Sequence, residues 1–405
     1  MAVRIDNVRL IHPAAGQDGI ASVILENGRM MMGGGGVAAA EVIDGSGLWL
    51  TPGFVDLCAR LREPGPKLHG GAASETRAAR AGGFLHVVVP PDTQPVLDAG
   101  ALVTQLIERS DEAGFAKVHP VGALTRGLEG KALANMARLM KAGCVGVGNA
   151  RAPFASPETL LRCLEYAATL GLTVFFSPEE PSLARGCAHD GFTAARLGLP
   201  GIPDTAETVA LATQILLVEQ TGVRAHFGQL SCKSAVELIR IAKEKGLPVT
   251  ADVAMHHLHL TDAAIDGFNA FAHVRPPLRS EADRAALREG VASGVIDAIC
   301  SDHQPLDASA KLAPFPATEP GMSTLETVLP LGLQLVREGV LSATQLVRAL
   351  SQRPAEVLGV DGAVGWLLID PAARWTVNAE TLLSTGKNTP WQGRELEGRV
   401  QRVFA

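Results

Sequence analysis

The sequence predicts an α/β protein: a closed (β/α)8 barrel with a small β domain assembled from both chain ends. Two observations predict it. Eight short apolar runs alternate with Ala- and Leu-rich helical segments between residues 51 and 338. Eight such units in roughly 300 residues is the count that closes a barrel. Residues 1–50 and 359–405 instead read as strands and turns. An open, doubly wound sheet is the competing arrangement for the alternating stretch.

The elements follow in order. Val3, Ile5 and Val8 mark a first strand, and Ser22-Val-Ile-Leu25 a second. Asn27-Gly28 is a hairpin signal, because both residues tolerate the positive φ of a two-residue turn. The glycine-rich stretch 33–36 lacks the Lys-Ser/Thr of a phosphate loop and reads as a turn. The barrel runs are 51–57, 86–91, 116–123, 143–149, 173–178, 224–231, 248–254 and 297–303. Strands of this kind are buried on both faces and need helical crossovers. The segments 96–113, 131–141, 157–170, 204–221, 233–245, 281–293 and 323–338 supply them. A last helix is expected over 342–358, and strand texture returns at Trp366-Leu-Leu-Ile369 and 399–404. The expected division is a composite β domain (1–50 with 359–405) and a barrel domain (51–358).

Composition excludes several functions. The 405 residues carry 36 Lys and Arg against 42 Asp and Glu, a net charge of −6, which rules out a strongly basic nucleic-acid binder. Aromatic residues are 4%, too few for base-stacking platforms. Hydrophobic residues are 47%, enough for a large core. No run of 18 apolar residues appears, so no membrane span is expected. Six cysteines stand at 58, 144, 163, 187, 232 and 300 with no CxxC pair, and read as reduced thiols of a cytoplasmic protein.

Barrel chemistry sits at the C-terminal ends of the strands. Read in order, those ends form a series. It begins Pro52-Gly-Phe-Val-Asp-Leu-Cys-Ala-Arg-Leu-Arg-Glu-Pro-Gly65, then Gly82-Gly-Phe with Pro91-Asp-Thr, then Gly201-Ile-Pro-Asp-Thr-Ala-Glu207. It continues Thr250-Ala-Asp-Val-Ala-Met-His-His-Leu-His-Leu-Thr261, Arg275-Pro-Pro-Leu-Arg279, Ser301-Asp-His303, Gly321-Met-Ser-Thr-Leu-Glu-Thr327 and Pro390-Trp-Gln-Gly-Arg-Glu-Leu-Glu-Gly398. The series resembles the dihydroorotases of the amidohydrolase superfamily over nearly the whole chain. The resemblance implies a TIM barrel of the amidohydrolase type with a β-sandwich built from both chain ends. It also implies a place in pyrimidine biosynthesis.

A dihydroorotase resembling this chain would open or close the ring amide with zinc-activated hydroxide, held by groups with lone pairs to give. The family's first strand ends His-x-His, and the matching positions here are Cys58 and Arg60. Arginine stays protonated and cannot ligate a metal. Asn149 stands for the fourth-strand carboxylate, Ser177 for the fifth-strand His and Gln229 for the sixth-strand His, while Asp302 keeps the eighth-strand Asp. The implied site is therefore degenerate, without zinc and without a catalytic residue. Arg60 and Asp302 would have faced the same metal, and we expect them to pair across the mouth, since an unpaired buried charge is costly.

Arg62 matches the family's carboxylate-binding arginine. Asp92 and Arg275 replace family asparagines, and His303 follows Asp302 as in the family. These four are the residual ligand-binding candidates, with Asp92 expected to repel an anion. His256, His257 and His259 lack metal-ligand spacing and are expected in packing roles, as are Ser231 and Cys232. Lys243-Glu-Lys245 reads as the solvated face of a helix. The whole pattern resembles non-catalytic dihydroorotase-like proteins that assemble with aspartate transcarbamoylase. The implied partner is that enzyme, in a hetero-oligomer, or else a homodimer, with no nucleic acid, membrane or cofactor. Two rivals stand beside it: an active cyclic amidohydrolase with a metal site rebuilt from Cys58, Asp302 and His303, and a sensor that binds dihydroorotate or carbamoyl aspartate through Arg62.

Overall fold

Five N-terminal strands, β1 (Val3–His12), β2 (Gln17–Glu26), β3 (Arg29–Met32), β4 (Glu41–Asp44) and β5 (Trp49–Pro52), begin the terminal sheet. The computed structural model describes residues 2–33, 39–66, 70–360 and 365–405. The part of the expected glycine-rich turn from Gly34 to Gly36 lies outside the described residues. Asn27 and Gly28 both take positive φ, 49° and 72°, so Glu26 pairs directly with Arg29 in a tight hairpin. A bulge between Ile5 and Val8, with Asn7 at φ 58°, bends β1. Its first half then pairs with β4 and its second half with β5.

The barrel strands are β6 (Phe54–Asp56), β7 (Phe84–Val89), β8 (Lys117–Ala123), β9 (Gly146–Gly148) and β10 (Thr173–Phe176). A two-stranded insertion, β11 (Ala188–His189) with β12 (Gly201–Ile202), follows. Then come β13 (Ala225–Phe227), β14 (Val249–Ala254) and β15 (Ala298–Cys300). The eight strands pair in parallel, in chain order from β6 to β15. Closure falls just beyond the strand ends, where Ala59 bridges His303 and the Arg60 amide donates to the His303 carbonyl at 2.8 Å. The chain then returns through β16 (Trp366–Thr376) and β17 (Glu395–Phe404), and β16 pairs with β5. The terminal sheet thus has seven strands drawn from both ends, around a core of Ile5, Val8, Leu10, Val23, Leu25, Leu50, Trp366 and Leu368.

Local chemistry sets the crossovers. Helix Pro157–Thr169 starts where Ser156 Oγ accepts the Thr159 amide, with Pro157 in the first turn. Helix Glu281–Ser293 is bounded by a Ser280/Asp283 capping box and by Gly294 at φ 82°. Along β7, Val87 and Val89 join the main core shared with the helices, while Val88 packs with Leu57, Val121 and Ala298 inside the barrel.

Three expectations need correction. The run 51–57 is two strands, because Gly53 sits against Leu85 with no room for a Cβ, and the chain passes there from the terminal sheet to the barrel. The helix expected at 342–358 is three joined pieces, Ala343–Val347, one π-helical turn Arg348–Gln352, and Arg353–Leu358. Of the run 243–245, Glu244 and Lys245 are exposed as expected, but Lys243 Nζ turns to within 2.6 Å of Asp297, a carboxylate that Arg353 also holds and that has no exposed side-chain surface. Helix Ala72–Ala81 and the β11–β12 insertion are additional to the expected elements.

Candidate functional site

The barrel mouth is built around one guanidinium. Arg60 leaves the exit of β6 and points across the barrel. Its Nη1 lies 3.1 Å from Asp302 Oδ1, and its Nε lies 3.0 Å from Asp92 Oδ2. The same Nη1 is 3.7 Å from Cys58 Sγ, which is itself 3.8 Å from Asp302 Oδ1. Arg60 is 8% exposed and Asp302 1%. Burial opposes the Arg60 charge, yet the carboxylates of Asp92 and Asp302 beside it outweigh that and raise its pKa. Burial pushes the Cys58 thiol well up, which disfavours the thiolate. Arg60 and Asp302 therefore meet as the sequence suggests. Asp92, expected to repel an anion, is instead neutralised by Arg60.

A second arginine, absent from the sequence reading, closes the other side. Ala150 takes φ 47° just beyond β9, which aims Arg151 inward. Arg151 Nη2 donates to Gln229 Oε1 at 3.2 Å, and Ser177 Oγ donates to the same oxygen at 3.2 Å. Arg151 Nε also lies 3.8 Å from Glu179. Asn149 turns away from both, with Oδ1 accepting from Thr125 at 2.7 Å and Nδ2 donating to the Ala152 carbonyl at 3.1 Å. The only sequence signal for Arg151 is its place two residues after Asn149. Left-handed backbone recurs around the mouth, at Arg62, Gln229 and Asp302 as well as Ala150.

Two of the four ligand-binding candidates are committed elsewhere. Arg275 forms a two-pronged pair with Glu179, at 2.7 and 2.8 Å, and donates to the Ala184 carbonyl. His303 is fully buried. Its Nδ1 accepts the Thr324 amide at 3.0 Å, so its Nε2 carries the proton and donates to Glu75 at 2.9 Å. Neither nitrogen keeps a lone pair for a metal or ligand. Arg62 remains. Its Nε donates to the Pro305 carbonyl at 3.1 Å, and burial followed by the Arg60 charge lowers its pKa. With Arg60, Asp92, Gln94 and Glu319 it lines a cavity of 280 Å³.

The remaining motifs build the frame. Asp56 accepts the Ser301 amide at 2.9 Å and the Ser301 hydroxyl, joining β6 to β15, and burial raises its pKa to about 7. Glu207 accepts the Ser231 amide at 2.9 Å and its hydroxyl, while Arg279 Nε donates to Ser231 Oγ at 3.0 Å. Ser231 therefore packs as expected. Glu75 holds His303, the Ser384 hydroxyl at 2.6 Å and the Thr385 amide at 3.0 Å. Asn388 donates to the Gln304 and Gly321 carbonyls and accepts the Leu306 amide. Those two residues pin the C-terminal return to the mouth. Inside the barrel, His226 bridges Asp252 at 2.9 Å and Thr250 at 2.9 Å.

The family profile described as "Dihydro-orotase-like" matches residues 47–235. The chain is 48% identical to a dihydroorotase-like protein of Pseudomonas aeruginosa, over 99% of this chain and 97% of that one. It is 42% identical to a dihydroorotase of Anaeromyxobacter dehalogenans, over 99% and 95%. The chain belongs to the dihydroorotase-like family. Its fold is shared with an L-hydantoinase (dihydropyrimidinase) from Arthrobacter aurescens, at a TM-score of 0.85 and 22% identity over 99% of this chain and 94% of that one.

The dihydroorotase-like pattern implies a metal, and the residues of this mouth do not fit one. A guanidinium with no lone pair lies among Cys58, Asp92 and Asp302. Gln229 and Ser177 are neutral and bonded to each other, and Asn149 faces its own loop. Among the described residues no three His, Cys, Asp or Glu side chains are placed to share an ion. The mouth sets the guanidiniums of Arg60, Arg62, Arg151 and Arg275 among the carboxylates of Asp92, Asp302, Glu179 and Glu319. No helix of the described residues is long and apolar enough to cross a membrane. All six cysteines are free thiols.

Proposed function

We propose that this dihydroorotase-like protein is non-catalytic and acts in the cytoplasm as an assembly subunit of aspartate transcarbamoylase in pyrimidine biosynthesis. One observation carries the reading: the Arg60 guanidinium, 3.1 Å from Asp302 and 3.0 Å from Asp92, stands where a hydrolase needs lone-pair donors. The frame around it is held by buried hydrogen bonds through Asp56, Glu75, Glu207 and Asn388, so what is kept is the barrel and what is exchanged is the chemistry. The partner comes from the sequence resemblance.

The test is co-expression with aspartate transcarbamoylase, then size-exclusion chromatography and a carbamoyl-aspartate assay. The two proteins are expected to elute together, with the transcarbamoylase poorly active when this chain is missing. Asp302→Asn should leave that activity intact. Separate elution with full transcarbamoylase activity rejects the reading. Elemental analysis should find fewer than about one zinc per ten chains, and dihydroorotate turnover should stay at background in both directions.

A sensor reading has its own observation. Among the described residues, the one hydrogen bond of Arg62 runs from Nε, and the cavity beside it keeps room for a small anion. Calorimetry with dihydroorotate and with carbamoyl aspartate separates the two: heat of binding that Arg62→Ala abolishes favours the sensor.

A further inference from the structure

Helix Thr205–Thr221 packs against helix Pro157–Thr169 and turns Ala210, Leu211, Ile215 and Val218 inward. Two polar side chains share that inner face. Glu207 is bonded to Ser231, as described above. Gln214 is different: it is 9% exposed, and its Oε1 has no hydrogen-bond partner among the described residues. A buried polar atom without a partner costs stability that an apolar side chain of similar shape avoids. Gln214 lines a cavity of 280 Å³. Small-molecule sites begin at about 300 Å³, so this one suits a compact ligand. Ala210, one turn earlier on the same helix, leaves the room, and Phe154, Leu160 and Phe176 give apolar walls. Arg151 lines it too, whereas Arg60, Arg62, Asp92 and Asp302 do not. It is therefore separate from the cavity at Arg62.

We propose that this cavity is a second ligand site, for a small uncharged ring that carries an amide or imide group. The two polar ends ask for opposite things. Arg151 gives Nη2 to Gln229 and sets Nε near Glu179, which leaves Nη1 with no hydrogen bond among the described residues. That end needs an acceptor. The Gln214 carboxamide has an oxygen to satisfy, and the last torsion of a glutamine is broad, so with no bond to break it can turn that oxygen toward a donor in the cavity. A ring with both N–H and C=O meets both demands. Charge balance points to a neutral molecule. Glu179 and Glu180 both line the cavity, and Arg151 with Arg275, which grips Glu179, offsets them. An anion or a cation would face one carboxylate or one guanidinium of its own sign.

Equilibrium dialysis of the purified chain against labelled uracil, with no transcarbamoylase present, tests this independently of the proposed function. Uracil is expected to bind at millimolar concentration, and equally well to Arg62→Ala, which separates this site from the sensor reading. 1,3-Dimethyluracil, which has no N–H, should not displace it. Gln214→Leu should weaken binding about tenfold, the loss of one buried hydrogen bond, and leave the urea midpoint of the free protein unchanged or higher. Ala210→Leu, which fills the cavity and touches no polar group, should abolish binding. Four outcomes overturn the proposal: no retention of uracil, retention lost in Arg62→Ala, retention unchanged in Gln214→Leu or Ala210→Leu, or displacement by 1,3-dimethyluracil. A lower urea midpoint in Gln214→Leu also overturns it, because Gln214 then serves the fold through ordered water.

Discussion

Arg60 serves two carboxylates at once, which makes its removal more damaging than the loss of one surface pair. In Arg60→Ala, Asp302 keeps its burial and loses its counter-ion. The expected cost is about 3 kcal/mol, the range for an uncompensated buried charge. Urea denaturation should show it as a lower midpoint with an unchanged slope. Arg60→Ala with Asp302→Ala should recover part of the loss, because neither buried charge then stands alone. Double-variant stability equal to or below that of Arg60→Ala would contradict the pairing. This pair was readable in the sequence, since both residues hold positions that the family directs at one point. Arg151 was not. Its inward aim depends on the left-handed Ala150, and a residue type alone does not announce a positive φ. The partners of His303 and Arg275 were not readable for a related reason. Glu75 and Glu179 sit on distant segments, and pairing over such separations is set by the folded barrel.

Between elements, the tie that matters most is Glu75. It comes from helix Ala72–Ala81 and gathers His303, Ser384 and Thr385, with Glu326 holding the Leu383 and Ser384 amides beside it. Burial opposes the Glu75 charge, but the His303, Ser384 and Thr385 bonds hold its pKa below the ordinary carboxylate value. Glu75→Gln keeps the shape and loses the charge-assisted bonds, at an expected cost of about 1–3 kcal/mol. Hydrogen exchange should then rise at residues 383–389 and stay unchanged in the terminal sheet. Exchange that does not change at 383–389 would deny Glu75 this role. Eight barrel runs and seven crossover segments were readable from apolar periodicity alone. Helix Ala72–Ala81 was not among the named segments, because its inner face is made of Ala, Glu and Thr rather than large apolar side chains.

At the scale of the molecule, burial has left many histidines neutral. His86, His119, His259 and His273 are held to about 4, and His256 and His257 to about 3. Burial lowers His12 and His189 as well. The unfolded chain binds protons at these residues near pH 6.5, while the folded chain binds them only at lower pH, near 4 or 3 for the first six. Each one therefore removes stability as pH falls through that window. Asp56, raised to about 7 by burial, and Glu207 and Glu326, also raised by burial, act in the opposite sense. Eight groups against three decide the sign. The urea midpoint should be lower at pH 5 than at pH 7.5. An equal or higher midpoint at pH 5 would show that the buried carboxyls outweigh the histidines.

The tie between Glu75 and Ser384 spans 309 residues of chain. A ribosome adding about 5–20 residues per second therefore makes Glu75 roughly 15 to 60 s before it makes Ser384. The Arg60–Asp302 pair waits for 242 residues in the same way. Through that interval the first βα unit and the open edge of β5 exist without the segments that complete them. The mouth of this barrel is finished by late synthesis, so a chain stalled after His303 would present a nearly complete barrel whose Arg60–Asp302 pair can form but whose covering segment and last two terminal-sheet strands, β16 and β17, are missing. Such a nascent intermediate has an exposed strand edge and a buried carboxylate short of partners, the two features that invite wrong pairing and that molecular chaperones exist to shield.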